Sequence, residues 1–478
     1  MPEAARSMMS LDQILSPPEV PAADRWRAAL ADQVARVLRE TSSTDLLIRQ
    51  VRVPVEGRVP ALHWLRAQSF PYGLYWKGRR SATSIAAAGV ADAVRTTGAP
   101  LQYDTLGALL DARLSDAPSA VRYYGGIRFD ARQPPVDGRP EAYWRPFGTA
   151  RMVLPRFEWQ TTDAGHVLVC NIVLPRDKKR AEALQRSIQQ LVFPASTAPG
   201  PLPTPVRRQD EPARDVWMQR VQDAVAAIRR GDLQKAVLAR RVTLGFASAL
   251  DPLLLLEHLA NETPQCFHFG FRPEHGTAFV GATPERLFRL EDGVVESEAV
   301  AGTRARVDGA SEDEALRTEL MESEKDRREH AFVTDAIREQ LAPFCRSIDV
   351  APPTELRLRR KRHLCSTIRG PLNNGAHAVD FLRALHPTPA VGGVPTGEAL
   401  DFIRTAEPFD RGWYAGPVGW MGPDAAEFAV AIRSGLVHGR QLALFSGAGL
   451  VEGSEPENEW AEIEQKISNF AAILGLGD

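Results

Sequence analysis

The chain has 478 residues, a formal net charge of -2 and 44% hydrophobic residues. That length supplies enough polypeptide for one large core or for two or three domains. The nearly balanced charge speaks against a nucleic-acid or polyanion partner. No apolar run reaches the roughly 18 residues that a bilayer span requires. The start, Met1-Pro-Glu-Ala-Ala-Arg6, is followed by no apolar signal-peptide region. Cys170, Cys266, Cys345 and Cys365 are scattered and form no CxxC pair. Reduced thiols in a cytoplasmic protein are the expectation.

Residues 1–22 are polar and Pro-rich and read as a loose leader. Trp26, Leu30, Val34 and Leu38 recur at spacing four, which predicts an amphipathic helix over 23–41. From 45 to 175 short β-like runs alternate with turns: 46–53, 73–76, 121–129, 150–155 and 167–173. Helical stretches near 104–114 and 178–191 interrupt them. The Pro-, Ser- and Thr-rich segment 194–205 reads as a connector. A strong helix follows over 215–230, stopped by Gly231. Strands are then predicted at 236–244, 266–271, 278–282, 287–290 and 294–299. One long helix is predicted over 312–341. Later β runs are 348–358, 413–421, 426–436 and 441–445, and a last helix covers 456–474. No repeat of solenoid period is present. Strands and helices mixed in this way argue α+β rather than a simple βαβ array. The boundaries predicted are 1–40 for leader and helix, 41–205 for an N-terminal half and 206–478 for a core.

The segment from Ser446 to Lys466 carries the most chemistry. It leads from an apolar strand through Gly447-Ala-Gly449 into a helix that opens with carboxylates. Glu459 and Glu462 are three apart and Lys466 lies four beyond, so all share one helix face. Backbone N–H groups beside paired carboxylates and a cation suit a metal and an anionic small molecule. Asp326 and Glu329 repeat the three-residue spacing in the long helix. Either pair alone is an ordinary solvated face. Two pairs converging on one cation would suit Mg²⁺, a metal that prefers oxygen ligands. Lys235 opens an apolar strand after a helix-stop glycine. Its position suits a solvated strand end, or a general base if desolvation lowers its pKa. Glu285 follows Pro284 between two β runs. It suits a solvent-facing turn, or a general acid if its surroundings keep it protonated. Arg433 ends an apolar strand and suits either a strand-end charge or a bidentate carboxylate clamp. Arg404 and Arg411 carry no comparable context.

Several motifs in order resemble the chorismate-utilising enzymes, the family of isochorismate, anthranilate, aminodeoxychorismate and salicylate synthases. They are Lys235-Ala-Val-Leu-Ala-Arg240, Ala282-Thr-Pro-Glu-Arg-Leu287, Ala301-Gly-Thr-Arg304, Ser323-x-Lys-Asp-x-x-Glu-His330 and His363-Leu-x-Ser-Thr-Ile-x-Gly370. Further on come Ala384-Leu-His-Pro-Thr-Pro-Ala-Val-Gly-Gly393, Trp413-Tyr-Ala-Gly-Pro-Val-Gly419, Phe428-x-Val-Ala-Ile-Arg-Ser434 and the stretch from Gly447 through Glu459 and Glu462 to Lys466. They cover about residues 210–472; the N-terminal half resembles the family loosely, at Tyr75-Trp-Lys77 and from Phe147 to Pro155.

The resemblance implies two large antiparallel β-sheets packed together and flanked by helices, with the N-terminal half completing one sheet. It implies chorismate as substrate and a Mg²⁺ ion held by Glu329 and Glu462, with Asp326 and Glu459 in its shell. Arg433, Tyr414 and the Gly447, Ala448 and Gly449 amides would grip the enolpyruvyl carboxylate, with Gly302, Thr303 and His363 also on the substrate. Lys466 would add a cation near the metal. Lys235 would act as base and Glu285 as acid. Within the family, Lys235, the Ala301 before Gly302-Thr303, and Leu385-His-Pro-Thr-Pro389 point to isochorismate synthase, with menaquinone biosynthesis favoured over siderophore supply. Salicylate synthase and a non-catalytic chorismate-binding protein are the alternatives. A monomer or weak homodimer, with no nucleic-acid or membrane partner, completes the expectation.

Overall fold

The strand Ala150–Thr162 belongs to two sheets at once in the computed structural model, which describes residues 22–476 apart from 58, 80, 99, 133–140, 196–198 and 374. One edge pairs along its length with Ser84–Thr96. Its other edge divides: Ala150–Val153 pairs with Tyr123–Ile127, and Phe157–Thr162 pairs with Gly165–Leu174. Two sheets therefore diverge from one strand. The first runs Leu47–Val55, Gly165–Leu174, Ala150–Thr162, Ser84–Thr96, Gly73–Lys77, Phe267–Glu274, Thr277–Thr283, Ser434–His438, Gln441–Leu450 and Lys235–Gly245. The far edge of Lys235–Gly245 is shared by two short strands, Arg207–Glu211 and Gly393–Val394. The second sheet continues from Tyr123–Ile127 through Pro417–Met421, Ala426–Val430, Arg286–Glu291 and Val294–Ala305 to Lys361–Pro371. All these pairings are antiparallel, as the α+β reading requires.

Side chains alternate between two cores with the period of two that a strand imposes. Leu74, Trp76, Ile85, Ala87 and Phe279 meet Val418, Trp420, Phe428 and Phe288 of the second sheet in one core. Tyr75, Ala86, Ala88, Ala278 and Val280, one step out of phase, face a second core. That core is closed by helices, including Leu30, Val34 and Leu38 of Ala22–Glu40 and Leu253, Leu255, Leu256 and Leu259 of Pro252–Glu262. The N-terminal helix thus forms as its four-residue spacing predicts. All four cysteines are free and buried. Among the described residues, no helix is long and apolar enough to cross a membrane. The leader 1–21 and part of the 194–205 connector lie outside the described residues.

Several elements differ from the sequence expectation. Ser84–Thr96 was not anticipated as a strand, because its run of alanines has low β-propensity. The tertiary setting overrides that: Ala86, Ala87 and Ala88 have no exposure and let layers approach on both faces. Pro252–Glu262 also went unread, although Asp251 caps it, accepting from the Leu253 and Leu254 amides at 2.9 and 3.2 Å. The long helix predicted over 312–341 is two helices, Ala310–Glu322 and Glu324–Leu341. Ser323 leaves helical geometry and caps the second by accepting from the Asp326 amide at 3.2 Å. The run predicted over 426–436 is likewise two strands, Ala426–Val430 and Ser434–His438, interrupted around Arg433.

Strands of the two halves interleave: Gly73–Lys77 pairs with Phe267–Glu274, and Tyr123–Ile127 with Pro417–Met421. A fragment of residues 41–205 should therefore show no cooperative thermal transition by circular dichroism, since two of its strands lose their partners. A sharp two-state melt of that fragment would contradict the shared-sheet account.

Candidate active site

The ladder between Lys235–Gly245 and Gln441–Leu450 sets the floor of the site. Its register places Gly447 opposite Ala239 and Gly449 opposite Val237. Side-chain loss at these glycines has a specific use. A Cβ on Gly449 would stand 3.0 Å from Cε of Lys235 and 3.5 Å from its Nζ. A Cβ on Gly447 would stand 3.1 Å from the Tyr414 hydroxyl and from the Leu238 carbonyl oxygen. The glycine pair is therefore the track over which the lysine and the tyrosine reach inward. The pairing of this strand with Ser434–His438 runs only from Gln441 to Leu444, so beyond Leu444 that edge has no strand partner among the described residues.

Above this floor opens a cleft of about 980 Å³. Lys235, Glu285, Gly302, Thr303, Glu329, His363, Tyr414, Arg433, Gly447, Gly449, Glu459, Glu462 and Lys466 all line it. Thirteen of the fifteen residues singled out in the sequence are thus brought together from eight separate stretches of chain. Ala448 and Asp326 do not line it. Ala448 is wholly buried in the strand between its two glycines. Asp326 sits beneath the Gly302 turn, where Gly302 has φ 69° and a Cβ would come within 3.1 Å of the carboxylate. Its carboxylate accepts from Arg304 at 2.8 Å. Asp326 is held as the counter-ion of Arg304, away from the cleft.

Burial sets the proton affinities of the two candidate catalytic groups. The Lys235 amine is held below the usual lysine range, chiefly by desolvation, against the opposing pull of Glu329 and with help from the like charge of Lys466. Glu285 is pushed up to about 7, again chiefly by desolvation, with Lys235 opposing and Glu298 assisting. Each influences the other, so both groups face one space. Arg79, from the N-terminal half, donates to the Pro284 carbonyl at 2.6 Å and to Glu298 Oε2 at 2.6 Å. It fixes the turn that carries Glu285. Nothing in the sequence around Arg79 announced that role, because the contact spans two distant parts of the chain.

Arg433 sits at φ 50°, in the left-handed region that non-glycine residues rarely occupy. The kink follows an inverse γ-like turn in which the Ile432 amide donates to the Val430 carbonyl at 2.8 Å. It ends one strand and directs the guanidinium to the cleft. His363 accompanies it: Nε2 lies 3.5 Å from Arg433 Nη2, and Nδ1 lies 2.9 Å from Thr303 Oγ1 and 3.3 Å from the Gly302 carbonyl. Desolvation and the Arg433 charge push this imidazole down to about 3, so it is neutral. With the proton on Nδ1, the ring donates toward Gly302 and Thr303 and accepts from the arginine. Tyr414 stacks on Phe445 with centroids 5.1 Å apart.

The opposite wall is acidic. Lys466 donates to the Gly447 carbonyl and to Glu462, both at 2.7 Å. Glu459 is raised by burial, against the Ser454 hydroxyl and with help from the Glu462 charge. Glu329 faces these groups from the helix Glu324–Leu341. Among the described residues, no three acidic, histidine or cysteine groups stand close enough to cage a metal by themselves. Mg²⁺ keeps several waters and takes one or two carboxylates plus substrate oxygens. The hard oxygen donors, and a Glu459 carboxyl raised chiefly by burial and further by the Glu462 charge, fit such a cation.

Two antiparallel sheets with a cleft lined from their last strands, joining an amine, an acid and a row of carboxylates, define a small-molecule enzyme scaffold. A family described as chorismate binding enzyme matches residues 33–475, and this chain belongs to that family. The salicylate biosynthesis isochorismate synthase of Pseudomonas aeruginosa is 37% identical over 374 residues, 76% of this chain and 77% of the relative. Isochorismate synthase MenF of Escherichia coli is 31% identical over 451 residues, 94% of this chain and 98% of the relative. The solved structure of that MenF, described as a menaquinone-specific isochorismate synthase, superposes with a TM-score of 0.81 at 30% identity, covering 94% of this chain and 99% of that one. Anthranilate synthase component I of Streptococcus pneumoniae shares the fold, with a TM-score of 0.58 at 19% identity over 91% of this chain and 93% of that one.

The raised Glu285 has a consequence for stability. Its native pKa, about 7, lies above the ordinary 4.5. The folded state therefore holds a proton that the unfolded state has lost between those two values, and stability contributed by this group falls as pH rises through that window. Glu285→Gln should be more stable than the parent at pH 8, by up to about 3 kcal/mol. The gain should vanish near pH 4.5, where both forms are neutral. Urea melts at the two pH values measure it; an equal effect at both would show that the carboxyl is ionised at no cost.

Proposed function

We propose that this protein is an isochorismate synthase, which moves a hydroxyl of chorismate from C4 to C2. What carries the reading is the pairing of Lys235 and Glu285 on one cleft, with their proton affinities shifted in opposite senses. The names of its full-length relatives support it.

In this scheme the neutral Lys235 amine takes a proton from water as the oxygen attacks C2. The ring double bonds shift, and the C4 oxygen leaves with a proton from Glu285. One water enters and one departs, so the reaction is an isomerisation with no net oxidant or reductant. Turnover leaves an ammonium and a carboxylate, which return to their starting forms by exchange with solvent. Arg433 would hold the enolpyruvyl carboxylate, aided by Tyr414 and by the free Gly447 and Gly449 amides. The neutral His363 keeps Arg433 in place without competing for the anion. Gly302 and Thr303 bound the ring side of the cleft. Glu329 and Glu462 would hold Mg²⁺, with Glu459 beside them. When bound, the ion would offset the charge of the ring carboxylate and orient the ring. Lys466, already paired with Glu462, keeps that carboxylate aimed at the cleft.

The relatives' names divide between menaquinone and salicylate supply. The match to MenF spans the N-terminal half as well as the core, and this favours menaquinone biosynthesis. Action in the cytoplasm, on a free small molecule, belongs to the same reading.

Purified protein given chorismate and Mg²⁺, without ammonium, should release isochorismate identified by mass spectrometry. Salicylate with pyruvate would instead mark a salicylate synthase, and tight binding without product would mark a non-catalytic protein. Lys235→Ala and Glu285→Gln should each lower kcat by about 10²- to 10⁴-fold with the fold intact. Chelation should abolish turnover and Mg²⁺ should restore it. The rate should fall on the acid side as Lys235 gains a proton, and on the alkaline side as Glu285 loses one. A pH-independent kcat/KM from pH 5 to 9 would remove both groups from the chemistry.

A further inference from the structure

The strand that carries Lys235 has a gap along its outer edge. Gly393–Val394 pairs with Ala236 and Lys235, and Arg207–Glu211 pairs from Gly245 back to Arg241. Between them, Val237, Leu238 and Ala239 have no strand on that side, yet they are 6%, 2% and 1% exposed. Buried backbone groups left unpaired are costly, so the partners must come from elsewhere. The Val237 amide donates to the Gly392 carbonyl at 2.8 Å. The next two groups are met by an ion pair. Arg411 Nη2 donates to the Val237 carbonyl at 2.7 Å, and Glu407 Oε1 accepts from the Ala239 amide at 2.7 Å. The two side chains are joined to each other, with Arg411 Nε donating to Glu407 Oε2 at 2.7 Å, and both are 5% exposed.

One acceptor and one donor, held side by side, are what an antiparallel neighbour would offer at this place. The guanidinium does more than fill the gap. It lines the cleft, donates to the Val391 carbonyl at 3.3 Å and lies 5.9 Å from the Tyr414 ring centroid. It also rests over Phe129 at 4.2 Å.

We propose that the Arg411–Glu407 pair substitutes for a missing strand segment and is the positioning element that fixes Lys235 and Tyr414 relative to each other. Arg411 touches Val237, two residues from Lys235, on one side and faces Tyr414 on the other. It acts through those groups and takes no proton in the reaction. The inference rests on the hydration reading above for its kinetic test, but its labelling test does not.

Arg411→Lys keeps the charge and loses the fork that serves Val237, Val391 and Glu407 together. Glu407→Gln keeps an acceptor for the Ala239 amide and loses the charge. Both variants should lower kcat, Arg411→Lys by about 10²-fold as for a misplaced base, with KM for chorismate changed less than about threefold. Lys235 is also to be followed by cyanate carbamylation against pH, read by mass spectrometry in full-length protein without substrate. Its amine faces Glu285, Glu329, Glu462 and Lys466. Displacement among these charges should move the labelling midpoint by at least half a pH unit in Arg411→Lys. A lowered melting temperature with parental kcat and parental labelling would reduce the pair to a structural staple and overturn the proposal. If Arg411→Lys does not fold, Glu407→Gln decides by the same two readings. Failure of the parent to make isochorismate would sink the hydration reading alone, because the labelling shift stands without turnover.

Discussion

The floor of the cleft, with Lys235 and the Gly447 and Gly449 backbone, depends on the ladder between Lys235–Gly245 and Gln441–Leu450. The ladder brings an amine over a pair of glycines, and the space they leave is what lets Lys235 lie flat and out of bulk water. Desolvation then acts on both candidate catalytic groups at once. It disfavours ammonium and carboxylate alike, so it lowers the lysine and raises the glutamate without separate devices for each. Their mutual attraction works the other way, favouring the charged forms. The amine is lowered and the acid raised because burial exceeds that attraction at both positions.

The residues that line this cleft were more legible in the sequence than the individual strands that carry them. Lys235, Glu285, Glu329, Glu459, Glu462 and Lys466 stood out through the ordered motifs shared with the chorismate-utilising enzymes, since each local pattern alone also reads as a solvated charge. Spacing on one helix also places Glu459, Glu462 and Lys466 correctly, since i, i+3 and i+4 geometry is fixed by the backbone. The same logic misleads at Asp326. It shares a face with Glu329, but the capping turn at Ser323 and the neighbouring Arg304 draw its carboxylate under Gly302. A spacing rule sees the helix and not what packs against its first turn.

The strands that were missed have a common cause. Ser84–Thr96 is rich in alanine, and Lys361–Pro371 is broken by charges and a histidine. Neither carries the alternation that marks a half-buried strand. Both are paired along both edges, so ladder bonds and close packing hold them where propensity does not. Arg411 was passed over for a related reason. Its value comes from a gap between two edge strands contributed by residues 207–211 and 393–394, and no window of sequence contains that gap.

Charge balance ties the site together. Glu329, Glu459 and Glu462 face the same space as Lys235, Arg433 and Lys466. Lys466 is committed to Glu462, and Lys235 must be neutral to serve as a base. Arg433 is then left to meet the carboxylates that a chorismate molecule would bring. Lys325, Arg328 and Arg411 line the cleft as well, and Arg411 is committed to Glu407. On the proposed reading, a divalent cation among the glutamates would offset charge on that wall and, by offsetting the pull of Glu329 and Glu462, would make the neutral Lys235 amine easier to keep. On that reading the acidic wall is half of a binding site whose other half would arrive with the metal and the substrate.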